Sequence, residues 1–173
     1  MKFNKILAII AFLHFIPAFA QTNANDTVQV LNIMKKYVQT IACGSTVQAK
    51  NIIDMTNSES DPPIYYVLWI GDIGCSGGSG TTTANITAVE KNRMMDLGYA
   101  VSVYPILEDE VYYGLYPLYI ESLKKISDHK IKIVSSEPVN EYSNYPRKKY
   151  KFILQRSENN AKWRLVNKIL VPN

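Results

Sequence analysis

The chain has 173 residues, 47% of them hydrophobic and twelve of them Tyr, which excludes an intrinsically disordered polypeptide and leaves room for a real core within one domain. Its formal net charge of +4 falls to +2 when Lys2 and Lys5 of the leader described below are set aside. That is too mild to argue for nucleic acid or for an acidic membrane surface.

Residues 1–20 read as an export signal. Lys2 and Lys5 open it, Ile6 to Phe15 is apolar apart from His14, and Pro17 precedes Ala18-Phe19-Ala20, an A-x-A cleavage pattern. The apolar run is too short to span a bilayer stably, and no second long run follows. The reading predicts cleavage after Ala20 and a single α+β domain over 21–173. The protein would be periplasmic or secreted, and not membrane-spanning after cleavage. Cys43 and Cys75 are the only cysteines, and an even pair in an exported chain predicts one disulfide.

After a polar stretch, Asp26 or Thr27 can cap a helix running to about Ala42. Its apolar residues Val30, Ile33, Met34, Tyr37, Val38 and Ile41 recur at three and four residues. Gly44 suits the left-handed position after a helix, which puts Cys43 in the last turn. The period then becomes strand-like. Strands are expected over 46–55, 64–70, 81–90, 99–107 and 130–136, with a closing hairpin of 149–155 and 163–170. Residues 108–125 read as a loop followed by a short helix, from the spacing of Tyr119, Leu123 and Ile126. Short connections favour antiparallel neighbours. The expected fold is an N-terminal helix packed on one curved, mostly antiparallel sheet of about six strands. Such an α+β roll resembles cystatin-like or NTF2-like domains in architecture only. Trp163 is expected to be buried against the helix, by way of Tyr37 or Met34.

No catalytic constellation emerges. Gly74-Cys75-Ser76-Gly77-Gly78 has only a superficial likeness to a serine-protease nucleophile motif. The one His beyond the leader, His129, follows Ser76 in the chain and has no Asp partner placed as that mechanism needs. The same loop lacks the Lys of a phosphate-binding loop and leads into Thr81-Thr82-Thr83, which favours a strand. Glu108-Asp109-Glu110 reads as a solvated turn, and Arg147, Lys148, Lys149 and Lys151 as the guarded edge of a sheet.

What stands out instead is a Gly-rich loop with a disulfide at its middle, and Tyr99, Tyr104, Tyr112, Tyr113, Tyr116 and Tyr119, half of all tyrosines in one short stretch. A pinned loop and rigid aromatic rings suit a contact surface. Asp72, Ser76 and Ser79, with Tyr112, Tyr113 and Tyr116, are therefore the candidate partner-binding residues. No catalytic residue, metal ligand or cofactor is expected. The partner would be another envelope or secreted protein, not nucleic acid. A small-ligand binder is the alternative, and a hydrolase using scattered carboxylates such as Asp72 and Glu90 the third reading.

Overall fold

The computed structural model describes residues 19–58, 61–78, 81–92, 98–102, 105–138, 146–157 and 160–172. Residues 1–18 of the signal expected over 1–20 lie outside the described residues.

Helix α1, Phe19–Ile41, begins before the cap expected at Asp26. The Asp26 carboxylate accepts a hydrogen bond from the Tyr65 hydroxyl at 3.3 Å and pairs with Lys91 at 3.6 Å, so it anchors the helix to the strands beneath it. Val30, Met34 and Val38, four residues apart, fall on one stripe and are fully buried. They pack on Tyr65, Val67, Trp69 and Val89. At about 1.5–3 kcal/mol for each large apolar side chain removed from water, this stripe is what holds the helix down.

The expected single roll is overturned. The described residues form eight strands in two antiparallel four-stranded sheets. The first contains β1 (Ala42–Asp54), β2 (Ile64–Ile73), β3 (Thr82–Lys91) and β4 (Tyr99–Val101), in that order. The second contains β5 (Ile120–Ser127), β6 (Lys130–Pro138), β7 (Pro146–Ser157) and β8 (Asn160–Val171), again in chain order.

Period-two alternation on β2 explains the layering. Tyr65, Val67 and Trp69 face α1, whereas Tyr66 and Leu68 face the second sheet. Ala84, Ile86 and Ala88 of β3 join Tyr66 and Leu68 against Leu123, Ile131, Ile133, Phe152, Leu154 and Trp163. The largest core is thus between the sheets, and the helix covers only the far side of the first.

Several local expectations change with it. Residues 120–127 are strand β5 rather than a short helix. Leu123 lies opposite Ile133, so strand pairing decides the structure and the helical spacing is incidental. Residues 108–119 instead hold a short helix α2, Asp109–Gly114, and a 3-10 turn, Pro117–Tyr119. The strand expected over 99–107 is only three residues long. Trp163 is buried at 1% exposure, but against the edge of the Tyr66 ring at 6.1 Å and not against Tyr37 or Met34. Lys148, Lys149 and Lys151 lie on β7, an inner strand flanked by β6 and β8, so they guard no edge.

Candidate functional site

Cys43 and Cys75 form a disulfide, with Cα atoms 5.1 Å apart. Cys43 is not in the last helical turn. α1 ends at Ile41, and Cys43 is the second residue of β1, opposite Asp72 of β2. Gly44 is left-handed, with φ 56°, but it marks a bulge between Cys43 and Thr46 and not the helix end. The bond fits an oxidising, extracytoplasmic compartment. It also leaves no thiol for nucleophilic chemistry with His129, which sits in the β5–β6 turn.

The loop from Ile73 to Gly78 is held at several points. Gly74 N–H donates to the terminal helix carbonyl of Ile41 at 3.1 Å, and Cys75 N–H donates to the Asp72 carbonyl at 3.2 Å. The Asp72 carboxylate accepts from Gly77 N–H at 2.8 Å. Gly74, Gly77 and Gly78 all have positive φ. The glycines therefore answer the path of the backbone, where a side chain would be strained. Cys75 itself has φ 56°, an unfavourable conformation for a residue with Cβ that its surroundings must impose.

The candidate residues divide. Asp72 is buried and occupied with the loop's own backbone, so it shapes the loop. Ser76 is exposed, and Ser79 lies outside the described residues. On α2, the Tyr112 hydroxyl donates to the Ala84 carbonyl at 2.7 Å, and burial pushes its phenol above the ordinary value. Tyr113 packs edge-on against it at 5.4 Å and is 66% exposed. Tyr116 goes elsewhere. It is left-handed, packs on Phe152, and donates to Glu137 at 3.0 Å in the second sheet.

Tyr112 and Tyr113 share a depression with the base of the pinned loop, at Ile73. With Ile73 they line one cleft of about 270 Å³, whose floor includes Trp69, Asn85 and Thr87 and whose helix side is Tyr37 and Ile41. The described β4 is Tyr99–Val101, and further along the cleft Ile106, Leu107 and Tyr112 line it beside Asn85, Ile86 and Thr87 of β3, with Tyr112 tied to β3 by its bond to the Ala84 carbonyl. Trp69 is held by its indole N–H, which donates to Thr87 Oγ1 at 2.9 Å. Sequence reasoning missed the contributions of Ile73, Trp69 and Tyr37. Trp69 and Tyr37 carry the apolar periodicity of a strand and a helix, whereas Ile73 falls in the Gly-rich segment and is half exposed, and only the fold makes the three of them cleft walls.

The carboxylates do not form an acid–base pair. Asp72 lies opposite Thr82 at one end of the β2–β3 ladder, and Glu90 lies opposite Ile64 at the other. Eight strand residues separate them, roughly 26 Å at the rise of a strand, against about 5–9.5 Å for paired catalytic carboxylates. Glu108 pairs with Lys162 at 2.5 Å and Asp109 borders the cleft. Among the described residues no three His, Cys, Asp or Glu side chains gather as a metal-ligand set, and no helix is long and apolar enough to cross a membrane. Compared with known proteins, the chain matches no family, no curated protein and no solved structure.

Proposed function

We propose that this is an exported, non-enzymatic protein that binds another envelope or secreted protein, as an inhibitor, immunity factor or assembly accessory does. The observation that carries the reading is the shared wall of the cleft. Ile73, at the base of the disulfide-pinned loop, and Tyr112–Tyr113 line the same depression. Covalent and hydrogen-bonded restraint lowers the ordering cost of binding there, and a half-exposed aromatic rim supplies apolar area with polar tips. Residues 1–20 are taken as the cleaved signal that delivers the protein to the periplasm or the exterior, with 21–173 as one domain.

The cleft also speaks to the small-ligand alternative. Its 270 Å³ falls just under the about 300–1,000 Å³ of typical ligand cavities. It suits one or two anchoring side chains of a partner better than a whole ligand. The test is a paired pulldown from envelope extract with the wild type and with Tyr113→Ala. Tyr113 is mostly exposed, so this variant is expected to fold and to lose the specific partner. Equal capture by both would remove the cleft from the binding surface. A thermal shift with small metabolites and no protein capture would favour the alternative.

A further inference from the structure

Charge is distributed very unevenly. Residues 21–119 hold five Lys and Arg against ten Asp and Glu, whereas residues 120–173 hold twelve against five. The mild net charge hides this asymmetry. Almost all the excess lies on the second sheet, which packs one face on the first sheet and, among the described residues, leaves the other uncovered.

Strand register shows how the outer face is built, since residues directly opposite share a face. Lys124 lies opposite Lys132, which lies opposite Ile153 and then Asn167. In the next row Val134 lies opposite Lys151 and then Ile169. Arg164, opposite Gln155, is on the same side. Lys149 pairs with Glu121 at 2.8 Å. Among the described residues Lys124, Lys132, Lys151 and Arg164 form no ion pair. Facing lysines such as Lys124 and Lys132 repel each other, so the face carries an unfavourable arrangement that an anion would relieve.

β8 ends this sheet. Among the described residues it pairs with β7 only, so its other edge presents a row of backbone N–H and C=O groups. Its side chains are exposed on both faces: Leu165 at 44%, Val166 at 54%, Ile169 at 45% and Leu170 at 54%. The inner-face pair, Leu165 and Leu170, overhangs the core. β8 carries Lys162, Arg164 and Lys168 and no acidic residue.

We propose that the outer edge of β8 accepts an extended, acidic strand of a protein partner, which extends the second sheet to five strands. Three features select this occupant. Free backbone groups ask for a peptide strand, because only another strand offers donors and acceptors alternating at the spacing of the edge. Three cations and no anion on β8 oppose pairing with a second copy of itself. Arg164, with Lys151 beside it on the outer face, complements acidic side chains on the incoming strand, whereas Lys162 is taken up by Glu108 and Lys168 by the Tyr150 ring and the Tyr116 hydroxyl. Alternation then sets its pattern, with acidic residues beside Arg164 and Lys151 on the outer face and apolar residues beside Leu165 and Leu170 on the inner. This surface is separate from the cleft, and the two proposals fail independently.

The test uses the mature chain and a synthetic peptide of alternating Glu and Val. Binding is followed by amide chemical shifts and by titration at low and high salt. The peptide is expected to bind, to shift β8 amides and to weaken with salt. A Lys–Val counterpart should not bind. Nor should a Glu–Val peptide N-methylated at alternate amides, which keeps the charge and loses the backbone donors. Arg164→Glu with Lys151→Glu, both exposed, should weaken binding about tenfold with an unchanged melting temperature, and Tyr113→Ala should leave it intact. Equal binding of the N-methylated peptide would overturn strand addition. Tighter binding to anionic phospholipid vesicles than to the peptide would overturn it in favour of a membrane. A β8-dependent dimer in sedimentation would overturn it in favour of a second copy.

Discussion

Single residues carry constraints here that their neighbours make visible. Gly71 sits where β1 and β2 meet closely. A Cβ there would lie 3.1 Å from the Ala42 Cβ and from the Trp69 ring, and 3.2 Å from the Ser45 Cβ. Gly71→Ala is expected to destabilise by about 1–3 kcal/mol through overpacking, measured by urea unfolding. Gly77→Ala has open space around it but φ 72°, so its cost of about 1–2 kcal/mol would be conformational. Glu137 is a different case. Hydroxyl hydrogen bonds from Tyr150 first and Tyr116 second hold its carboxyl below the usual carboxylate range. A pKa lowered by folding contributes stability above the unfolded value, and that contribution is lost as pH falls through the folded value. Glu137→Gln should therefore lose stability at neutral pH and show a shallower loss between neutral and acid pH than the wild type, read from melting temperatures across pH. None of these partners was legible in sequence, because Glu137, Tyr116 and Tyr150 meet only when the second sheet assembles.

At the level of elements, the staple and the closing hairpin are the two to test. The Cys43–Cys75 bridge closes a span of 32 residues, for which loop closure predicts roughly 3–4 kcal/mol. Cys75→Ser is expected to lower stability by about 2–4 kcal/mol, and alkylation of the unreduced wild type should modify neither thiol. Trp163 tests the inter-sheet core. It is buried at 1% exposure beside Tyr66, with the Arg156 guanidinium over its ring at 5.2 Å. Trp163→Ala should cost about 3–5 kcal/mol, and Trp163 in a variant lacking Trp69 should emit as a buried indole. Where helix and strand were confused, the reason is physical. Leu123 and Ile126 stand three residues apart as on a helix, yet Ile126 is half exposed and Leu123 is packed inside β5. Two register shifts in the β5–β6 ladder break strict alternation, so neither period was clean.

For the whole molecule, the helix, the first sheet and the second sheet form three layers with two cores. The proposed functions use opposite parts of it: the cleft where α1 ends beside β3 and α2, and the basic outer side where β8 ends the second sheet. Local chemistry was enough to read most strands, since β-branched and aromatic runs such as Ile64–Ile73 favour extended backbone whatever surrounds them. The stripe of Val30, Met34 and Val38 declared an amphipathic helix, and two cysteines in an otherwise cysteine-free chain declared their pairing. Those features depend on spacing and residue type, which the sequence contains outright. Sheet membership does not. Each strand knows which of its faces is apolar, and that is equally satisfied by one curved sheet or by two packed sheets. The choice between them was made by long-range register, by the crossing of 105–119 from the first sheet to β5, and by burial of Trp163 against Tyr66. The same long-range placement brought Ile73 to Tyr112 and Tyr113, sent Tyr116 to the other sheet, and gathered lysines from three strands onto one face. Only the folded structure decides such meetings, because residues far apart in the chain become neighbours through the packing of surfaces rather than through any local pattern.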